Sequence, residues 1–150
     1  MADTTDTTGT AERNGSGDAW GPGGAGPTAP VRLTVPAEAR FLRLARLTAA
    51  GLAGDLGYPV DAIEDLRIAV DELCAAVIED ASPTAELTVS YLEQDGALVV
   101  EGFCDDAAAP PPELHRVAEE LLTMLADEHS VAGDATGRSF RLVKRSQPCR

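Results

Sequence analysis

Residues 65–81 read Asp-Leu-Arg-Ile-Ala-Val-Asp-Glu-Leu-Cys-Ala-Ala-Val-Ile-Glu-Asp-Ala, and their periodicity decides the fold. Together with Ile63, residues Leu66, Val70, Leu73 and Val77 form one continuous apolar seam. The spacing predicts a helix opened by Asp61 and running to about Glu79. Glu72 and Ala76, four residues apart, share a face turned away from the seam, with Asp65 and Glu79 nearby. On spacing alone that face is a solvated acidic stripe.

Upstream, Val31, Leu33 and Val35 alternate with Arg32 and Thr34, the period of a half-buried strand that Pro36 stops. From residue 37 to about 56 the period lengthens. Phe41, Leu44, Ala45, Thr48 and Leu52 predict the apolar face of an amphipathic helix, with Arg43 and Arg46 opposite and Gly57 ending it. Downstream, Leu87, Val89 and Tyr91 alternate, Asp95-Gly96 supplies a tight turn, and residues 98–103 form an apolar, β-branched run. Pro112 and Glu113 suit the first turn of a third helix whose predicted seam is Leu114, Val117, Leu121 and Leu125. Residues 129–131 and 139–143, joined across Gly133 and Gly137, read as a last pair of strands.

The predicted order is β-α-α-β-β-α-β-β. Directly joined hairpins imply antiparallel pairing, and three one-sided helices cover one face of a five-stranded sheet. The expected class is α+β, a two-layer α/β sandwich. Its uncovered face should be mostly polar, as Thr88, Ser90, Glu101 and Arg141 suggest.

The 150 residues suit one domain, preceded by a segment of different character. Residues 1–30 hold seven of the fourteen glycines and six threonines, with Trp20 the single aromatic. Such a composition buries too little to offset its ordering entropy, so a disordered tail is expected there, a domain over 31–145, and a flexible end over 146–150. Of the net charge of −13, the tail carries −3 (Asp3, Asp6, Glu12 and Asp18 against Arg13), leaving −10 on the remainder. That excess repels nucleic-acid backbones and anionic membranes, so direct binding to either is not expected. No stretch is long and apolar enough for a membrane span or a signal peptide, which points to a cytoplasmic protein. Cys74, Cys104 and Cys149 suit neither a disulfide framework nor a zinc site and read as reduced thiols. His115 is expected on a helix surface and His129 at a helix end.

The 65–81 run resembles the nucleotide-binding helix of the GHKL (Bergerat-fold) ATPases, most closely the anti-sigma-factor serine kinases of the RsbW and SpoIIAB type. The strand order is similar to that fold, and residues 125–128 with 140–144 resemble its closing segment. The resemblance spans residues 31–145. It places Glu72 at the family's glutamate, which polarises a water or substrate hydroxyl, and Ala76 at the asparagine that carries Mg²⁺ on the phosphates. Asp80 falls at a family histidine and Asp105 at the aspartate that reads adenine.

The chain departs from the family at these positions. Ala76 has no oxygen for Mg²⁺. Asp105 is followed by Asp106-Ala107-Ala108-Ala109, with alanines where the family has glycines, so each Cβ intrudes on the nucleotide and Asp106 repels a triphosphate. No second glycine-rich loop precedes the third helix, and no lysine occurs before Lys144. The pattern resembles divergent actinobacterial members such as the mycobacterial RsbW homologue. What it implies is ATP or ADP binding that is weak or lost, with no secure Mg²⁺ site.

A damaged pocket shifts attention to the surface. Arg43 and Arg46 have no acidic residue at helical spacing on their own helix, and Arg46 matches a family arginine that meets the partners. The resemblance therefore implies an anti-sigma factor that sequesters an alternative sigma factor and releases it to an anti-anti-sigma (STAS-type) protein. It also implies a homodimer formed through the sheet edge. The alternative is an active serine/threonine kinase that phosphorylates the anti-anti-sigma protein, with Glu72 as general base.

Overall fold

The computed structural model describes residues 29–107 and 109–146. Trp20, Cys149, most of the expected tail and the last four residues lie outside them. The elements are β1 (Val31–Pro36), α1 (Leu42–Asp55), α2 (Val60–Ile78), β2 (Glu86–Gln94), β3 (Ala97–Cys104), α3 (Arg116–Leu125), β4 (Glu128–Asp134) and β5 (Gly137–Arg145). This is the expected order, with one 3₁₀ turn at Ala39–Phe41 leading into α1.

The five strands form one sheet in the order β1-β2-β3-β5-β4, every neighbouring pair antiparallel. Asp95 and Gly96 both take positive φ (52° and 79°), the mirror-image turn whose twist matches the strands it joins. Period-2 alternation then sends Leu87, Val89, Tyr91, Leu98, Val100, Phe140 and Leu142 to one face, where all are buried in a common core with Leu66, Val70, Leu73 and Val77 of α2. Tyr91 Oη donates to Ala45 O at 2.8 Å, fastening β2 to α1.

The α+β two-layer sandwich is therefore present. The outer sheet face carries the expected Thr88, Ser90, Glu101 and Arg141, with Thr34 and Thr88 hydroxyls 3.0 Å apart. It also holds a small apolar cluster, Ala97, Val99 and Val143, that the polar expectation omitted.

Two helices are corrected. On α1 the buried residues are Leu42, Ala45, Ala49 and Ala53, whereas Leu44 and Leu52 are only partly buried and Leu47 is exposed. The contact is made by small side chains that let α1 approach closely, so the larger leucines do not mark the face. Helix α1 ends where expected: Gly57 adopts φ 83°, its N–H donates to Gly54 O, and Tyr58 N–H donates to Ala53 O. Helix α3 starts at Arg116, four residues past Pro112, with the backbone still extended at its N-cap His115 (φ −66°, ψ 151°). Its buried residue is Leu122, while Val117 of the expected seam is exposed.

Lys144 joins the layers. Its Nζ donates to Leu125 O (2.7 Å) and Asp65 Oδ2 (3.3 Å), while its carbonyl accepts Tyr58 Oη at 2.8 Å. One residue of β5 thereby ties α2, the end of α3 and the turn between α1 and α2.

Candidate functional site

The C-terminal half of α2 borders a cleft of about 450 Å³. Glu72, Ala75, Ala76 and Glu79 form one wall, with Asp80 and Ala81 beyond the helix end. Ala37, Ala39 and Leu42 close a second side, and Glu113, Leu114, His115 and Ala118 a third. The core fixes α2 through Leu73 and Val77, and the edge of the same turns that carries Glu72, Ala76 and Ile78 faces this opening.

The geometry brings Glu72 and Ala76 together, both half-buried, as their four-residue spacing predicts. Glu72, Glu79, Asp80 and Glu113 give the lining four carboxylates, and neither lysine nor arginine is among the lining residues. Asp65, the other acid of the stripe, lies elsewhere on Lys144.

Asp105 does not join Glu72 in the lining. Its Oδ1 accepts Glu86 N–H at 2.8 Å and its own N–H donates to Glu86 O at 3.2 Å, so it closes the end of the β2–β3 ladder. The neighbouring Asp106 is buried and accepts Ser82 N–H at 2.7 Å. Both acids are engaged by backbone donors of the segment that enters β2.

Arg46 is corrected from an unneutralised cation to a paired one. Its Nη1 lies 2.7 Å from Asp71 Oδ1, a partner on α2 that spacing within α1 could not reveal. Arg43 is exposed and has no ion-pair partner among the described residues. Arg46, Asp71, Glu64, Arg67 and Ile68 line a shallow groove between the two helices, and Arg67 is itself paired with Glu64 at 2.9 Å.

His115 precedes the first turn of α3 and faces the cleft. His129 sits on β4, not at a helix end, with Nε2 3.9 Å from Glu119 Oε1. Cys74 and Cys104 are buried free thiols, and burial drives both thiol pKa values upward. Among the described residues no three His, Cys, Asp or Glu side chains gather as a metal site, and no helix is long and apolar enough to cross a membrane.

Sequence reasoning missed Asp71, Glu113 and Arg138. The last had a signal: Arg138 shares strand parity with Phe140 and Leu142, which assigns it to the helix-facing side.

A helix-covered antiparallel sheet of this connectivity is the fold of an RsbW domain. The solved structure of the RsbU and RsbW domains of Rv1364c from Mycobacterium tuberculosis is similar, with a TM-score of 0.60 at 20% identity, covering 79% of this chain and 32% of that one. In sequence the chain is RsbW-like. It is 47% identical over 51 residues to the serine-protein kinase RsbW of Halalkalibacterium halodurans (34% of this chain, 32% of that protein). To the RsbW of a Bacillus cereus strain it is 33% identical over 63 residues, 41% and 39% of the two chains. The matches span between about a third and two fifths of these relatives. No family model matches.

Proposed function

We propose that the chain is an anti-sigma factor that holds an alternative sigma factor by protein contact and yields it to an anti-anti-sigma protein, with a degenerate nucleotide site. The likeness to RsbW supports the partner-switching role. The observation that carries the degenerate site is the composition of the cleft: Ala76 stands where the α2 face would have to offer a metal an oxygen, and the lining holds four carboxylates and no lysine or arginine. A magnesium triphosphate of the family's kind does not fit that donor set. Its phosphates would face those carboxylates with no lysine or arginine of the lining to balance them, and Asp105 already accepts Glu86 N–H.

On this reading the protein is cytoplasmic and works through its surface, where Arg43 is an exposed cation with no ion-pair partner among the described residues, on an acidic body. An acidic protein of this kind competes with promoter DNA for the basic surface of a sigma factor. Homodimerisation through the sheet edge belongs to the same proposal.

The test is capture of the sigma factor by the full chain with and without ATP, alongside phosphate transfer to the anti-anti-sigma protein at millimolar Mg·ATP. Capture that ignores ATP, with no transfer, is the expected result. The half-buried Glu72 on the cleft favours the alternative, a working serine kinase. Transfer abolished by Glu72→Ala would establish that alternative.

A further inference from the structure

Strand β5 sends Arg138, Phe140, Leu142 and Lys144 toward the helices, so it carries a cation at each end of its covered face. The two cations live under opposite conditions. Lys144 Nζ donates to a carboxylate and a carbonyl. Arg138 is 2% exposed, and its Nε and Nη2 are buried with no hydrogen-bond partner.

Two guanidinium N–H groups buried without a hydrogen-bond acceptor are costly for a fold, because they have left water and gained no bond in return. The geometry of the two unpartnered nitrogens is specific. Nε and Nη2 lie on one edge of the planar group and point their N–H bonds in parallel, the fork that donates to both oxygens of one carboxylate.

The surroundings define what fits. Arg138 pairs with Cys104 on β3 and with Gly133 on β4. A Cβ on Gly133 would come within 2.9 Å of Pro112 Cδ and 3.0 Å of Pro111 Cα, so these two prolines rest directly on the sheet beside Arg138. Asp106 is buried close by, against Cys104, and its Oδ2 accepts Ser82 N–H.

We propose that Arg138 is a carboxylate receptor, admitting one carboxylate past Pro111 and Pro112 to take Nε–H and Nη2–H side-on. A single negative charge matches a single guanidinium. A phosphate dianion would bring a second negative charge next to Asp106. The carboxylate belongs either to a small acid or to an aspartate or glutamate of a docked protein, and its chemistry at Arg138 is the same. The proposal stands apart from the anti-sigma reading.

The experiment follows the arginine Nε–Hε resonances of the ¹⁵N-labelled full chain by NMR. The probes are sodium acetate, the capped aspartate N-acetyl-aspartate amide, sodium phosphate and sodium chloride at matched ionic strength. Arg138→Leu identifies the resonance by its disappearance; should that variant not fold, Arg138→Lys removes the same resonance while keeping the charge. The expected result is a saturable shift of the Arg138 resonance with acetate or the capped aspartate that chloride does not produce and phosphate produces only weakly. A stronger response to the capped aspartate assigns the carboxylate to a protein, and a stronger response to acetate assigns it to a small acid. An Arg138 resonance that neither carboxylate moves, or that phosphate or chloride moves equally, overturns the proposal.

Discussion

Arg46 of α1 and Asp71 of α2 meet at 2.7 Å, with 37% and 41% of their side chains exposed, so the Arg46 guanidinium is already held by a neighbouring helix. A partner that takes Arg46 must compete with Asp71 or bind the pair as a unit. Half-exposed ion pairs contribute little, about 0.2–1 kcal/mol. A double-mutant cycle of Arg46→Ala and Asp71→Ala in chemical denaturation is expected to give a coupling in that range. Partner capture by Arg46→Ala should weaken without a matching loss of fold stability. Unchanged capture would remove Arg46 from the surface.

Tyr58 responds to alkali. Its hydroxyl donates to Lys144 O, and burial, aided by the charges of Glu93 and Asp127, raises its pKa from 10.0 to about 12. The neutral form is favoured in the folded chain. Its contribution to stability is therefore complete below pH 10 and is lost as pH rises from 10 through 12, where the unfolded chain ionises first. Tyrosinate absorbance in the near ultraviolet should show Tyr58 titrating late. Tyr58→Phe should have a flatter stability profile across that window.

Gly96→Ala tests the β2–β3 turn. Nothing lies within 4 Å of a Cβ at this position, so the cost is conformational alone and comes from φ 79°. A loss of about 1 kcal/mol is expected in equilibrium unfolding, with the sheet otherwise retained. A neutral result would mean that the turn relaxes to another type.

Ala76→Asn gives α2 an oxygen on the cleft wall beside Glu72. Calorimetric titration with ATP should then show a magnesium-dependent gain, of about tenfold or 1.4 kcal/mol. A gain equally large without magnesium would show that the new amide acts on the nucleotide and not on a metal.

The hairpin and the α2 seam were legible because each side chain there is large, apolar and regularly spaced. Leu66, Val70, Leu73 and Val77 are all fully buried, and Asp95-Gly96 turns as its composition predicts. Helix α1 was legible in part: Ala45 of the expected face is buried and Phe41, Leu44 and Leu52 pack at the edge of the core, whereas Ala49 and Ala53 went unmarked because alanine marks no face by hydrophobicity. On α3 two stripes were available, one through Val117 and Leu121 and the other through Ala118 and Leu122. Only the position of the core selects the second. The cleft was half legible. Glu72 and Ala76 share a helix, whereas Glu113 and His115 reach them from more than thirty residues away, and no local period encodes that approach. Asp71 was hidden for the same reason, since an ion pair between two helices leaves no mark on either alone.

On the covered face of the sheet, Gly102 lies opposite Phe140, and a Cβ on Gly102 would enter the Phe140 ring. The two positions therefore form one heritable unit. Any side chain gained on β3 at this point has to be matched by a smaller residue on β5. In a lineage of related chains these columns should vary together, a correlation that packing imposes and that owes nothing to partner or nucleotide.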